Sequence, residues 1–298
     1  MSETIELKFT SKPRAIKNFL QFILFKRPGL KPGLELPKMK VSMNNLTIDP
    51  DHLRRYTDAC GLKEKKTIPV LFPHVIASPF YMAMMSHRAF PFFVIGTLHL
   101  RNHIIQYRPI GSNEMFDIIV ELRQKRVVKQ GVEFDFTIEL NSKGEVLWKS
   151  VSTMMKRGNF GTDITDSTLS DSMDAIPDTA TYRELHVPKN MGKKFARITS
   201  DYNPIHLSRI AALVFGFKRD IIHAMWASAQ AIGVLPKISE KLPLRVDLAF
   251  KGPVFMDSPT RVTLKKIRKG YRFDYYCEDN PRPSIQGKLI SVSHKEKP

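Results

Sequence analysis

Asp201 and His206 bracket the hexapeptide Asp201-Tyr202-Asn203-Pro204-Ile205-His206, and their types at that spacing could do acid–base chemistry. An asparagine before proline is kept out of the helical region, so Asn203-Pro204 turns the chain. A turn there can bring the Asp201 carboxylate and the His206 imidazole to one point, which a smooth helix or strand would not. A carboxylate and an imidazole able to grip one water are what hydration or dehydration needs. Seventeen residues after His206 comes His223, at the head of the apolar run Ile221 to Gln230. That run predicts a helix whose first free N–H groups, near Ala224, would form an oxyanion site. For His223 two readings stand: a buried histidine that fixes the helix start, and a direct proton carrier.

The elements that must position these residues belong to a chain of 298 residues, with 42% hydrophobic content and a formal charge of +18. The length allows one large or two ordinary domains, and the apolar content supports packed cores. Cys60 and Cys277 are the only cysteines, which points to a reducing, cytoplasmic compartment and away from a disulfide framework. No apolar run is long enough to span a bilayer. The excess of cations attracts polyanions. Zinc-finger spacings, an RNA-binding aromatic signature and a Walker loop are all missing, which argues against nucleic acid.

Residues 1–40 form a basic amino-terminal segment and connector. Within it Ile16, Phe19, Leu20, Ile23 and Leu24 fall on one face of an expected helix spanning 14–27. That helix either packs on the body or lies on an anionic membrane surface. Residues 41–158 read as a first unit with an apolar segment and then strands. Val132, Phe134, Phe136, Ile138 and Leu140 alternate as in a half-buried strand, and Asn141 to Gly144 is a hairpin turn. Residues 159–182 carry Asp, Ser and Thr without Lys or Arg, as a linker would.

Residues 183–298 repeat the first unit. Leu100-Arg101 and Pro109-Ile110 match Leu244-Arg245 and Pro253-Val254. Gly131, Phe134 and Asp135 match Gly270, Phe273 and Asp274 in the same order. Ordered matches of this kind indicate a duplicated fold. The first unit has no Asn-Pro and no histidine at the place of the hexapeptide, so the second alone is expected to be catalytic. In the first, Pro73, Pro79 and Pro91 are expected to break the apolar helix and leave a groove for an apolar tail. His74, His87, His99 and His103 show no metal-ligand spacing. Lys265, Lys266, Arg268, Lys269 and Arg272 make a basic hairpin, solvated or suited to carrier phosphates.

The catalytic stretch resembles the signature of MaoC-like (R)-specific enoyl-thioester hydratases and 3-hydroxyacyl-thioester dehydratases. That family reads approximately Ser/Thr-Gly-Asp-x-Asn-Pro-Leu/Ile-His, followed by an Ala-rich approach to Ile-x-His-Gly-Met. Asp201, Asn203, Pro204 and His206 match it, while Ser200 and Ala224 stand where the family has glycine. The resemblance implies an α+β double hot-dog: two tandem units, each an antiparallel sheet wrapped around a central helix. It also implies reversible dehydration of (3R)-3-hydroxyacyl thioesters carried by coenzyme A or an acyl carrier protein. Asp201 and His206 would share the acid and base roles, Ala224 would offer its N–H, and Asn203 and His223 would position the substrate. No metal or cofactor is expected, because the thioester supplies the acidity, and a homodimer is a further expectation. The glycine replacements keep open a non-catalytic acyl-thioester or lipid-binding protein, and the fold keeps open a thioesterase.

Overall fold

Eleven strands form one sheet in the order β1-β2-β4-β5-β6-β3-β8-β11-β10-β9-β7. The computed structural model describes residues 3–13, 27, 29–33, 35–93, 96–169, 173–177, 180–236, 243–293, 295 and 298. Apart from Arg27, the amphipathic helix expected at 14–27 lies outside the described residues. The first unit supplies β1 (Ile5–Phe9), β2 (Met39–Leu46), β3 (Thr97–Gln106), β4 (Phe116–Val128), β5 (Gly131–Ser142) and β6 (Glu145–Arg157). The second supplies β7 (Thr181–Val187), β8 (Leu244–Phe250), β9 (Ser258–Ile267), β10 (Gly270–Cys277) and β11 (Ile285–Ser291).

Once β1 is set aside, the order is the same read inward from either edge. The two halves meet at β3 and β8, which pair antiparallel with Arg101 opposite Ala249 and Ile105 opposite Arg245. His103 lies opposite Asp247, its own counterpart in the repeat, so a local two-fold axis passes through this pair. The pair is tied by a 2.5 Å contact between His103 Nδ1 and Asp247 Oδ1. This is the double hot-dog that the sequence implies. Three strands go beyond the sequence expectation: β2 and β7 precede the helices of their halves, and β1 pairs parallel to β2 along the outer edge.

Each half wraps its sheet around a helix. Helix α1 (Pro50–Cys60) begins where the Asp49 side chain accepts the Asp51 N–H at 3.0 Å, and it ends at Gly61 with φ 63°. Helix α2 (Phe72–Ser86) is the central helix of the first half and packs on β2, β4 and β5. All its residues but Pro79 and Met82 are buried, as expected of a helix hydrophobic all round. In the second half come α3 (Met191–Thr199), the short α4 (Arg209–Val214) and the central α5 (Ala224–Gly233), which packs on β10 and β11.

Two expectations change. The prolines do not break α2: Pro73 sits in the first turn, where its missing N–H costs nothing, and Pro79 is carried inside a continuous helix. Phe80 and Met84 are completely buried in the main core, so they fill it rather than line a groove. The alternating strand β5 is also buried on both faces over its first six residues. The linker covers it, with Ser167 Oγ donating to Glu133 Oε1 at 2.5 Å and the Thr168 N–H to Glu133 Oε2 at 3.2 Å. Farther on, the Ile176 N–H donates to Asp274 Oδ2 at 2.7 Å, so the linker is pinned to both halves.

Candidate active site

Helix α3 delivers the catalytic turn. It ends at Ser200, which takes the left-handed conformation at φ 60°. A side chain costs about 1 kcal/mol there relative to glycine, which explains why glycine suits this position. The Asp201 N–H then donates to Thr199 Oγ1 at 3.2 Å, and Asp201 Oδ1 accepts the Asn203 N–H at 3.1 Å. These bonds fold Asp201 back over its own turn. Asn203, at φ −55° and ψ 123°, caps a single 3-10 turn at Pro204–His206. Proline thus does what its type requires, and His206 is carried to the end of that turn.

His206 is fixed from outside the turn. Its Nδ1 donates to the Ile221 carbonyl at 2.8 Å, which leaves Nε2 unprotonated. The Ile221 N–H in turn donates to the Ile205 carbonyl at 3.1 Å, bringing the next segment alongside. His223 follows and stacks on His206, with ring centroids 3.8 Å apart and planes 25° from parallel. His223 Nε2 donates to the Asp201 carbonyl at 3.1 Å and lies 3.8 Å from Asp201 Oδ2. Its Nδ1 is buried without a hydrogen-bond partner. Ala224 is the first residue of α5, directly after His223, and the first N–H groups of a helix have no acceptor within it.

The electrostatics keep both rings neutral. Burial lowers the His206 pKa below the ordinary imidazole value, against the opposing pull of Asp201 and the bond to Ile221. Burial and then the neighbouring His206 push His223 down to about 3. Asp201, His206 and His223 each place one donor atom within 4.8 Å of the other two, a spacing a metal ion could bridge. Imidazole lone pairs lie in the ring plane, however, so two stacked rings direct them side by side rather than at one centre. The arrangement suits proton transfer better than ligation.

Three of the four supporting residues, His52, Tyr81 and His99, gave no signal of this role in the sequence. His52 Nε2 of α1 donates to the Ile198 carbonyl at 2.7 Å, tying the end of α3 to the other half. Gly192 lets α3 approach the turn, since a Cβ there would fall 2.1 Å from the His206 carbonyl oxygen. Tyr81, buried in the first half, and His99, half-buried there, lie within electrostatic reach of Asp201. Burial pushes His99 down to about 4, and its ring stacks on His74 at 5.4 Å. The first half therefore walls the site while lacking its motif. Only the glycine had a local cue, its place in the first turn of an amphipathic helix.

Residues 158–279 match the MaoC like domain. Over 274 residues the chain is 27% identical to 3-hydroxyacyl-thioester dehydratase X of Mycobacterium tuberculosis (strain ATCC 25618 / H37Rv), covering 88% of this chain and 96% of that protein. The crystal structure of HtdX of Mycobacterium tuberculosis superposes with a TM-score of 0.73 at 23% identity, over 85% of this chain and 100% of that one. A MaoC-like dehydratase from Phytophthora capsici does so with a TM-score of 0.69 at 15% identity, over 88% and 97%.

Proposed function

We propose that this chain, whose residues 158–279 match the MaoC like domain, is a MaoC-like hydro-lyase that interconverts (3R)-3-hydroxyacyl and trans-2-enoyl thioesters in fatty-acid metabolism. The observation that carries the reading is one turn that presents Asp201 and a neutral, Nδ1-anchored His206 beside the amino-terminal end of α5. In the dehydration direction a proton leaves C2 of the acyl chain and hydroxide leaves C3. The two depart as one water, so the Asp201–His206 pair ends each turnover in the protonation state in which it began. His206 Nε2 is the unprotonated base of that pair, and Asp201 holds the hydroxyl or water against it. The enolate oxygen that develops at the thioester carbonyl is stabilised by the Ala224 N–H and the helix end behind it. Asn203 keeps the turn closed. His223 holds the turn to the start of α5 through its bond to Asp201.

The thioester's carrier is coenzyme A or an acyl carrier protein. Among the described residues no helix is long and apolar enough to cross a membrane. We place the protein in the cytoplasm on its two buried, unpaired cysteines. Pairing as a homodimer and contact with an anionic membrane through residues 14–27 are further parts of this reading.

The test follows the enoyl thioester absorbance of crotonyl coenzyme A with purified protein beside a free-thiol assay. Loss of the enoyl band without thiol release is the expected result. Thiol release at the same rate would make the protein a thioesterase, and no change in either would leave it a binding protein.

A further inference from the structure

The segment that carries the catalytic turn also carries an apolar surface that faces water. Helix α4 buries only Ala212. Ile210, Leu213 and Val214, at the i, i+3, i+4 spacing of a single helical stripe, are 76%, 52% and 77% exposed. With Tyr202 they make up four of the eight large exposed hydrophobics among the described residues. A stripe of this kind normally faces a core.

A pocket of about 210 Å³ lies beside the same segment, at the seam between the two halves. The first half lines it with Gly96, Leu98, Lys156 and Arg157, the second with Ile205, Phe215 and Phe217. Its second-half lining is apolar and its first-half lining includes two cations, and Ile205 is the residue before His206. Around the stripe Arg209, Lys218 and Arg219 outnumber Asp220 and Glu278, and Glu278 is already engaged by Lys218 at 3.4 Å and Arg219 at 3.9 Å.

We propose that the α4 stripe and the adjoining pocket together dock an acidic acyl carrier protein. Its phosphopantetheine phosphate sits against Lys156 and Arg157, and its apolar contact helix lies on Ile210, Leu213 and Val214. The proposal rests on the dehydratase reading and narrows its substrate class. Coenzyme A offers the same phosphate and arm but nothing that would cover an apolar helix, whereas a carrier protein offers both. Opposite net charge would steer the encounter. The apolar anchors would supply the contact that excludes water.

The experiment compares the crotonyl group on N-acetylcysteamine, on coenzyme A and on a stand-alone acyl carrier protein. Two double variants are used: Leu213→Asp with Val214→Asp, and Lys156→Glu with Arg157→Glu. The first should lower kcat/KM at least about tenfold on the carrier-protein substrate alone. The second should lower it on the carrier-protein and coenzyme A substrates, which share the phosphate, and spare N-acetylcysteamine. Equal effects on all three substrates, or none on any, would overturn the proposal. So would loss of sedimentation with phosphatidylserine vesicles while carrier kinetics stay intact, which would assign the stripe to membrane. Calorimetry with unacylated phosphopantetheinyl carrier protein separates the two readings. If no thioester is turned over, the dehydratase reading fails, yet docking stands if the carrier binds the parent protein and the Leu213→Asp/Val214→Asp variant weakens it at least about tenfold, and falls if it does not.

Discussion

The two halves of the sheet follow one plan and part company between two helices. In the first half eleven residues, 61–71, join α1 to the central helix α2; in the second, twenty-four residues, 200–223, lie between α3 and α5. The helices before the gap correspond closely. Tyr56 stands where Phe195 does, and Gly61 at φ 63° stands where Ser200 does at φ 60°. The next residue is Leu62 in one half and Asp201 in the other. The longer connection holds the Asn-Pro turn, His206, α4 and His223, and the shorter one has no room for any of them. The first half answers instead with polar side chains, buried Tyr81 and half-buried His52 and His99, toward the site of its twin. In the proposed mechanism duplication has divided the work: one copy holds the chemistry, the other its walls.

The largest effect that could break this division is loss of the reacting pair. Asp201→Asn and His206→Ala should each lower kcat/KM for crotonyl thioester at least about a hundredfold, the usual scale for a lost general acid or base. Circular dichroism should stay native, since neither side chain fills the core. Near-parent rates in a folded variant would mean that the chemistry lies elsewhere.

Acid comes next. In the proposed mechanism His206 works unprotonated, and burial lowers its pKa below the ordinary value of about 6.5. The acid limb of the kcat/KM profile should therefore fall below that pH, about tenfold per unit once past it. An acid limb above 6.5 would contradict a buried neutral base. Stability has the same sign through His223, whose folded pKa of about 3 lies below its unfolded value. The unfolded chain takes up the proton first as pH falls, so this contribution is complete above about 6.5 and is lost progressively toward 3. His223→Gln should flatten that slope in urea titrations at several pH values.

A smaller change sharpens the claim that the first half holds the second in place. His52→Ala removes the donor to the Ile198 carbonyl and should cost about 1 kcal/mol of stability. It should also lower kcat more than it raises KM, because the bond fixes the turn rather than the substrate. His52→Asn, able to donate again, should recover part of kcat. Unchanged kcat with reduced stability would make the contact structural only.

The smallest effect tests a position where the halves share a left-handed conformation but not a residue. Ser200→Gly should raise stability by about 0.5–1 kcal/mol, and Gly61→Ser should lower it by a similar amount. Thermal unfolding of the two variants reads both signs in one experiment, and a destabilised Ser200→Gly would show that its side chain contributes more than its backbone costs.

The sequence by itself determined what is local. An asparagine before a proline must turn, so the neighbourhood of Asp201 and His206 could be read from six residues. Alternation along β5 and the ordered matches between halves are also local patterns, and they carried the double hot-dog. Only the tertiary structure decided what depends on distant chain meeting. It stacked His223 on His206 through the Ile205–Ile221 contact, aimed His52 at Ile198 across the two halves, and let Gly192 slide under the turn. It carried Pro79 inside a continuous α2 and laid β1 along the outer edge. Those outcomes depend on packing between segments far apart in the chain, where the burial of a whole helix or edge outweighs the preference of any single residue.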